Sequence, residues 1–152
     1  MTELMQPNKP LEEQHMYEIE ILLIDDKLAD IQLMRETFDE NKLRNNLNIV
    51  STGSDADAFL RHGLYVPQPD LIMLDSEFSR STDQSIFNAI KQDEHLRYVP
   101  LVIMTPLGSE PDMPTHLTPP NGFVTKPLDF LQFINVIKGI KSFRVAIVTS
   151  LL

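Results

Sequence analysis

The sequence predicts an α/β fold built on a five-stranded parallel sheet with helices on both faces. Short apolar runs alternate with segments that carry apolar residues at helical spacing, which is typical of repeated β–α units. Four of the apolar runs end on acidic, hydroxyl or lysine side chains, so the carboxyl edge of the sheet is expected to collect polar groups. With 152 residues, of which 42% are hydrophobic, the chain is long enough for one domain with a substantial core.

The predicted strands are short apolar runs, each flanked by polar residues or prolines. They span Ile19–Ile24, Leu47–Ser51, Asp70–Leu74, Leu101–Met104 and Gly122–Thr125. Because helical segments connect them, the strands are expected to be parallel, with right-handed crossovers. The expected strand order is 2-1-3-4-5, as in flavodoxin-like folds, and this order brings the ends of the first and third strands side by side.

The predicted helices follow the 3.6-residue period and its end signals. They span Lys27–Asn41, a short segment from Ser54 to a stop at Gly63, Ser81–Gln92, and a last helix from the Asp129 cap to about Phe143. Residues 106–120 hold five of the 11 prolines. Proline inside a helix costs about 3 kcal/mol, so the fourth crossover helix is expected to be degenerate.

The ends of the chain differ from its centre in composition. Residues 1–18 are polar and are expected to form a flexible arm, residues 19–143 the folded domain, and residues 144–152 an apolar C-terminal extension. The chain has no cysteine, no signal-peptide pattern and no apolar run of membrane-spanning length, which together favour a cytoplasmic protein. The net charge of −9, without a basic cluster, argues against nucleic-acid binding.

The residues at the strand ends suggest phosphate chemistry. Asp25, Asp26 and Asp75 are expected to meet, and a hard cation such as Mg²⁺ would relieve the repulsion of their carboxylates. Asp75 stands alone at its strand end and is the better candidate nucleophile, since an aspartate can carry a phosphoryl group as an acyl phosphate. Thr105 and Lys126 could contact the phosphoryl oxygens. Each residue alone has an ordinary explanation; Asp26, for example, could simply cap a helix.

This combination resembles the receiver domain of two-component response regulators, over roughly residues 19–143. The resemblance implies that Asp75 is the phosphoacceptor. It also implies that Asp26 binds Mg²⁺ directly, that Asp25 acts mostly through water, and that the backbone carbonyl of Glu77 is a further ligand. Such a domain assists its own phosphorylation and dephosphorylation but is not classed as an enzyme.

The resemblance also implies a switch. Thr105 corresponds to the hydroxyl that moves on phosphorylation, Phe123 to the aromatic ring that rotates with it, and Lys126 to the lysine that binds the phosphoryl group. The bond between Lys126 and Pro127 is cis in that family.

A narrower resemblance joins the chain to the small single-domain receivers that pair with cyanobacterial and bacterial phytochrome kinases. The similar segments are 25–30, 93–100 and 143–149. The chain departs from the family pattern at Ser79, Asp83 and Pro106, and in the proline-rich fourth crossover.

Two interpretations of function are favoured. In the first, a sensor histidine kinase, with a phytochrome as a candidate, phosphorylates Asp75, and the output is a protein contact. In the second, the chain is a pseudo-receiver, an interaction module that no longer uses phosphate. An aspartate-based phosphatase is a third interpretation, which the Asp25-Asp26-Lys27 spacing disfavours.

The last helix is apolar nearly all round, which predicts burial on more than one side. Leu131, Ile134 and Ile137 are expected to face the sheet. A homodimer is expected through the C-terminal tail and the remaining apolar positions of this helix: Phe130, Phe133, Val136, Ile140 and Phe143. The alternative is that the tail packs on this helix.

Overall fold

The structure is a computed structural model that describes residues 18–62, 68–78, 83–106 and 120–140. The predictions about the N-terminal arm, the C-terminal extension and Phe143 therefore concern residues outside the described part. The same holds for Ser79 and for nearly all of the proline-rich crossover.

The predicted sheet is confirmed in strand number, direction and order. The strands are β1 (Ile19–Ile24), β2 (Asn45–Val50), β3 (Leu71–Asp75), β4 (Leu101–Pro106) and β5 (Gly122–Lys126). All neighbouring pairs are parallel, and the order is β2-β1-β3-β4-β5. β2 starts two residues before the predicted Leu47, because the ladder with β1 continues through polar edge positions that carry no apolar signal.

The strand register determines which side chains meet at the carboxyl edge of the sheet. Ile24 pairs with Leu74, so the acidic residues that follow β1 lie beside Asp75 at the end of β3. Asp75 in turn pairs with Met104, and Pro106 pairs with Lys126. β4 thus continues two residues past its predicted end, and the departure at Pro106 is accommodated at the last position of the strand.

Four helices lie in the described part of the chain. They are α1 (Leu28–Glu40), α2 (Gly53–His62), α3 (Asp83–Gln92) and α4 (Phe130–Lys138). α2 begins one residue before the predicted Ser54, and the hydroxyl of Thr52 accepts a hydrogen bond from the Asp55 N–H at 3.0 Å. α4 ends at Lys138 with Gly139 as its cap, so the prediction that it continues to about Phe143 is wrong.

Two hydrophobic cores lie on opposite faces of the sheet. α1 and α4 cover one face, where Phe38 packs against Phe133 with ring centroids 5.3 Å apart. α2 and α3 cover the other face, with Phe87 among the buried residues. Successive residues of a strand point to opposite faces, so Leu23 belongs to the first core and Ile24 to the second. This arrangement explains why the central strands read as continuous apolar runs.

The sequence assigned the faces of α4 correctly at Ile134 and Ile137, which are buried in the core, but wrongly at Leu131 and Phe133. Phe133 is 0% exposed and Ile140 is buried with it in the core, whereas Leu131 is 74% exposed. Phe130 and Val136 also pack against this core. The 3.6-residue period explains the result, since positions 133 and 137 share one stripe, whereas position 131 lies about 160° around the helix from position 133. Phe133 and Ile140 therefore cannot form a subunit contact while α4 stays packed.

Among the described residues, no helix combines the length and apolar character that crossing a bilayer requires.

Candidate functional site

Asp75 lies at the centre of the carboxyl edge, as the last residue of β3, and its side chain is 0% exposed. Its Oδ1 accepts hydrogen bonds from Lys126 Nζ at 2.8 Å and from the Glu77 N–H at 3.2 Å. Its Oδ2 accepts one from Lys27 Nζ at 3.0 Å. Both oxygens of the candidate phosphoacceptor are therefore bound to cationic groups.

These contacts determine the charge state of Asp75. Burial alone would raise the pKa of this carboxyl, but the hydrogen bonds from Lys126 and Lys27 hold the pKa below its usual value. Asp75 is therefore a carboxylate at neutral pH, which is the form that can act as a nucleophile.

Asp25 follows β1 directly and is buried, but its surroundings differ from those of Asp75. Its Oδ1 accepts a hydrogen bond from the Lys27 N–H at 2.9 Å. Its Oδ2 is buried and has no hydrogen-bond partner in the described part of the chain, although Lys126 Nζ lies 3.6 Å away. Burial raises the pKa of Asp25 to about 6, and the nearby Asp75 adds to this effect. A buried carboxylate oxygen without a partner is a ready ligand for a cation.

The structure brings together the three carboxylates that were predicted as metal ligands. Asp25, Asp26 and Asp75 each offer one carboxylate oxygen, and these oxygens lie within 4.8 Å of one another. Asp26 is exposed while Asp25 and Asp75 are buried, so the cluster opens to solvent on the side of Asp26. An oxygen-only set of this kind suits Mg²⁺, and the buried free oxygen of Asp25 supports the fit.

Lys126, at the end of β5, lies between three carboxylates. Besides Asp75, its Nζ lies 2.6 Å from Asp30 and 3.6 Å from Asp25. Burial would lower the pKa of Lys126, but the bonds to Asp30 and Asp75 raise it, so the side chain remains an ammonium ion. The peptide bond between Lys126 and Pro127 is cis, the geometry that the resemblance implies.

The two predicted switch residues lie on neighbouring strands. Thr105 is buried near the end of β4 and pairs with Thr125 of β5. Phe123 pairs with Ile103, two positions earlier, and its side chain is 39% exposed. The exposed ring has room to change its orientation. The structure thus positions Thr105 and Phe123 on one pair of strands, with Thr105 nearer to the carboxyl edge of the sheet.

Two site residues were missed in the sequence analysis. Lys27 reaches into the cluster from the start of α1, and Asp30, in the first turn of that helix, contacts Lys126. Their signal was their position, since both follow β1 within five residues of Asp26. Glu77 also has a contact that was not predicted: its carboxylate lies 3.6 Å from Lys27 Nζ.

Comparison with known proteins gives a consistent result. No protein-family model matches the chain. Response regulator Rcp1 of Synechocystis is 31% identical over 133 residues, which cover 85% of this chain and 90% of that protein. The probable methanogenesis regulatory protein FilR2 of Methanothrix harundinacea is 25% identical over 126 residues, or 81% of each chain.

Solved structures share the fold. The bacteriophytochrome response regulator AtBRR matches with a TM-score of 0.64 at 24% identity, over 84% of this chain and 95% of that one. RtBRR, also a bacteriophytochrome response regulator, matches with a TM-score of 0.63 at 24% identity, over 84% of this chain and 80% of that one. CheY4 of Vibrio cholerae, a chemotaxis response regulator, matches with a TM-score of 0.59 at 16% identity, over 78% and 98%. These structural matches confirm the predicted fold, and the sequence identity to Rcp1 confirms the predicted family. The chain belongs to the receiver domains of response regulators.

Proposed function

We propose that this chain accepts a phosphoryl group from a sensor histidine kinase onto Asp75, in a Mg²⁺-dependent reaction, and signals through protein contacts. The observation that carries the proposal is the environment of Asp75. It is a buried carboxylate held by Lys126 at 2.8 Å, with ligand oxygens of Asp25 and Asp26 within 4.8 Å. Membership in the response-regulator family supports the same function.

The transfer would proceed by direct attack. One Asp75 oxygen forms a bond to phosphorus while the bond from phosphorus to the kinase imidazole nitrogen breaks, and the electron pair goes to that nitrogen. Lys126 remains beside the acceptor and offers its N–H groups to a phosphoryl oxygen. When bound, Mg²⁺ would neutralise charge on the transferring phosphoryl group. The residues that would hold the Mg²⁺ ion are Asp25, Asp26 and Asp75. The chain is a phosphoacceptor that assists this reaction rather than an enzyme.

We further propose that phosphorylation acts through Thr105 and Phe123. Thr105 is buried at the same edge as Asp75, so a phosphoryl group there offers its hydroxyl a new acceptor. Movement of Thr105 would change the space next to β5, where the ring of Phe123 is 39% exposed. The two residues would thus shift a two-state equilibrium of the domain.

The kinase partner is proposed from the relatives. AtBRR and RtBRR are by name response regulators of bacteriophytochromes. We propose a cytoplasmic kinase of the phytochrome class as the phosphoryl donor of this chain. This donor can be tested by mixing the protein with a kinase domain that carries a labelled phosphoryl group. Loss of the labelled phosphoryl group from the kinase is then followed.

The phosphorylation itself is tested with a small donor. Incubation with MgCl₂ and acetyl phosphate should add the mass of one phosphoryl group to the wild type and none to Asp75→Asn. Asp39→Asn, an exposed change at the end of α1, is the matched control and should behave as the wild type. Absence of modification in the wild type, or equal modification of Asp75→Asn, would instead favour the pseudo-receiver. Turnover of a phosphate ester would indicate a phosphatase.

We also retain the homodimer as a proposal, with a different surface. Leu131 is 74% exposed on α4 and is the apolar side chain of that helix that a second copy could cover. Light scattering at tens of micromolar protein should then give a dimer for the wild type and a monomer for Leu131→Asp. A monomer for both proteins would reject this dimer.

A further inference from the structure

The ammonium group of Lys27 lies inside the acidic cluster that the metal would occupy. Its Nζ is 3.0 Å from Asp75 Oδ2, 3.5 Å from Asp26 Oδ1 and 3.6 Å from Glu77 Oε1. Asp26 and Asp75 are two of the three candidate metal ligands. One positive charge of the chain therefore already offsets part of the negative charge that would bind a divalent cation.

The backbone and the side chain of Lys27 have different constraints. The backbone is fixed, because its N–H donates to Asp25 Oδ1 at 2.9 Å and it directly precedes the first turn of α1. The side chain is 42% exposed, so its ammonium can leave the cluster for solvent without a change in the fold. Lysine suits such movement, since it carries a compact charge on a flexible four-carbon stem.

The second lysine of the site differs in this respect. The Lys126 side chain is only 12% exposed, and its Nζ is held by Asp30 and Asp75 at 2.6 and 2.8 Å. The two ammonium groups bind different oxygens of Asp75, Lys126 at Oδ1 and Lys27 at Oδ2. If a cation enters, Lys27 can be displaced, whereas Lys126 can remain on the other oxygen.

We propose that Lys27 is an internal counterion that competes with the divalent cation for Asp26 and Asp75 and leaves the cluster when the cation binds. The inference rests on the proposed function of the site as a magnesium-dependent phosphoacceptor. Lys27 would keep the metal-free cluster stable, lower its affinity for Mg²⁺, and make the position of the side chain depend on metal occupancy. Lys27 acts on the site only through its charge, and its ammonium group takes no part in the transfer of the phosphoryl group.

The first test compares Mg²⁺ affinity in two variants that lose the same charge. Lys27→Met removes the ammonium and keeps the length of the stem, and Lys138→Met removes an exposed ammonium at the end of α4, far from the cluster. Titration with MgCl₂, followed by amide chemical shifts, should show about tenfold tighter binding in Lys27→Met, because a competing charge within 4 Å is removed. Lys138→Met should bind as the wild type.

The second test observes Lys27 itself. Its ¹³Cε–¹⁵Nζ NMR signal, assigned by its loss in Lys27→Met, should shift during the Mg²⁺ titration with the same midpoint as the amide of Asp26. The Lys138 signal should not move. This readout separates displacement of Lys27 from a general effect of net charge.

The outcomes distinguish this inference from the proposed function. Equal Mg²⁺ affinity in the wild type and Lys27→Met, or a Lys27 signal that does not move as Mg²⁺ binds, would overturn the role of Lys27 while leaving phosphorylation of Asp75 intact. No Mg²⁺ binding by either protein would overturn both. Binding by Lys27→Met alone would show that Lys27 excludes the cation instead of yielding to it, and would overturn both the displacement of Lys27 and the Mg²⁺ dependence proposed for the wild type.

Discussion

Lys126 Nζ lies 2.8 Å from Asp75 Oδ1, and the same nitrogen lies 2.6 Å from Asp30 in the first turn of α1. One ammonium group therefore joins the ends of β3 and β5 to the start of α1. Because burial would otherwise raise the pKa of Asp75, this bond helps to keep the acceptor ionised. The strand order β2-β1-β3-β4-β5 makes the arrangement possible, since β1, which leads into α1, pairs with β3 on one side, and β5 lies beyond β4 on the other side.

Replacement of Lys126 should change both the charge and the reactivity of Asp75. In Lys126→Met, mainly Lys27 would remain to oppose the rise in pKa that burial causes. The pKa of Asp75 should therefore be higher than in the wild type. Phosphorylation by acetyl phosphate should slow about 10- to 100-fold, because a positioned cation next to the reacting oxygen is lost. The carboxyl carbon signal of Asp75 in a pH titration and the rate of mass gain measure the two effects. A pKa of Asp75 no higher than that of the wild type would contradict this account.

Asp25→Asn should stabilise the metal-free protein at neutral pH. Burial raises the folded-state pKa of Asp25 to about 6, above its value in the unfolded chain. Between roughly pH 4 and pH 6 the folded state thus binds more protons, and the free energy of unfolding falls as pH rises through this window. Above pH 6 the free energy of unfolding of Asp25→Asn should exceed that of the wild type by about 1–3 kcal/mol. The buried amide needs no ionisation, and its oxygen can keep the hydrogen bond from the Lys27 N–H.

Urea denaturation in EDTA at pH 7.5 and pH 4 measures this gain, which should disappear at the lower pH. Asp26→Asn is the matched control, since it removes the same charge from an exposed side chain and should change stability by less than about 0.5 kcal/mol. A loss of stability in Asp25→Asn at pH 7.5 would show that the buried carboxylate is better compensated than its contacts indicate.

The fold was predictable because its signals are local and repeated. β1, β3 and β4 are buried apolar runs, and their alternation with helical periods implies parallel strands. The strand order followed from the likeness of this pattern to flavodoxin-like folds. The beginning of β2 was missed because Asn45 and Asn46 belong to an edge strand, where pairing with β1 rather than burial forms the strand.

The site was predictable only in part, for a physical reason. Strand ends gather at one edge, so the meeting of Asp25, Asp26 and Asp75 follows from topology. For Lys27, the position after β1 was too weak a signal, because a lysine after a strand usually points to solvent, and only the three carboxylates around its Nζ hold it in the cluster. Leu131 was assigned to the wrong face of α4 because apolar residues lie on nearly all sides of this helix, and only the observed packing, not composition, selects Phe133 over Leu131.

Thr105 variants should separate phosphorylation from response. Thr105→Ala should still gain one phosphoryl group, since Asp75 and Lys126 are unchanged, but the change in the aromatic signals of Phe123 should be lost. Thr105→Ser keeps the hydroxyl and should keep the Phe123 response. Addition of a beryllofluoride salt with Mg²⁺, followed by NMR of the Phe123 ring, provides the measurement. The same ring response in Thr105→Ala would remove Thr105 from the switch.

Neighbouring apolar residues of α4 should differ sharply in their contribution to stability. Phe133→Ala should lower the free energy of unfolding by about 3–5 kcal/mol, because the ring is 0% exposed and packs 5.3 Å from the ring of Phe38. Leu131→Ala should change it by about 0.5 kcal/mol or less at low protein concentration, since that side chain is 74% exposed. Urea denaturation at two protein concentrations measures both values. If Leu131→Ala destabilises the protein only at the higher concentration, the exposed leucine is covered by a second copy; if it destabilises equally at both, Leu131 packs within its own chain.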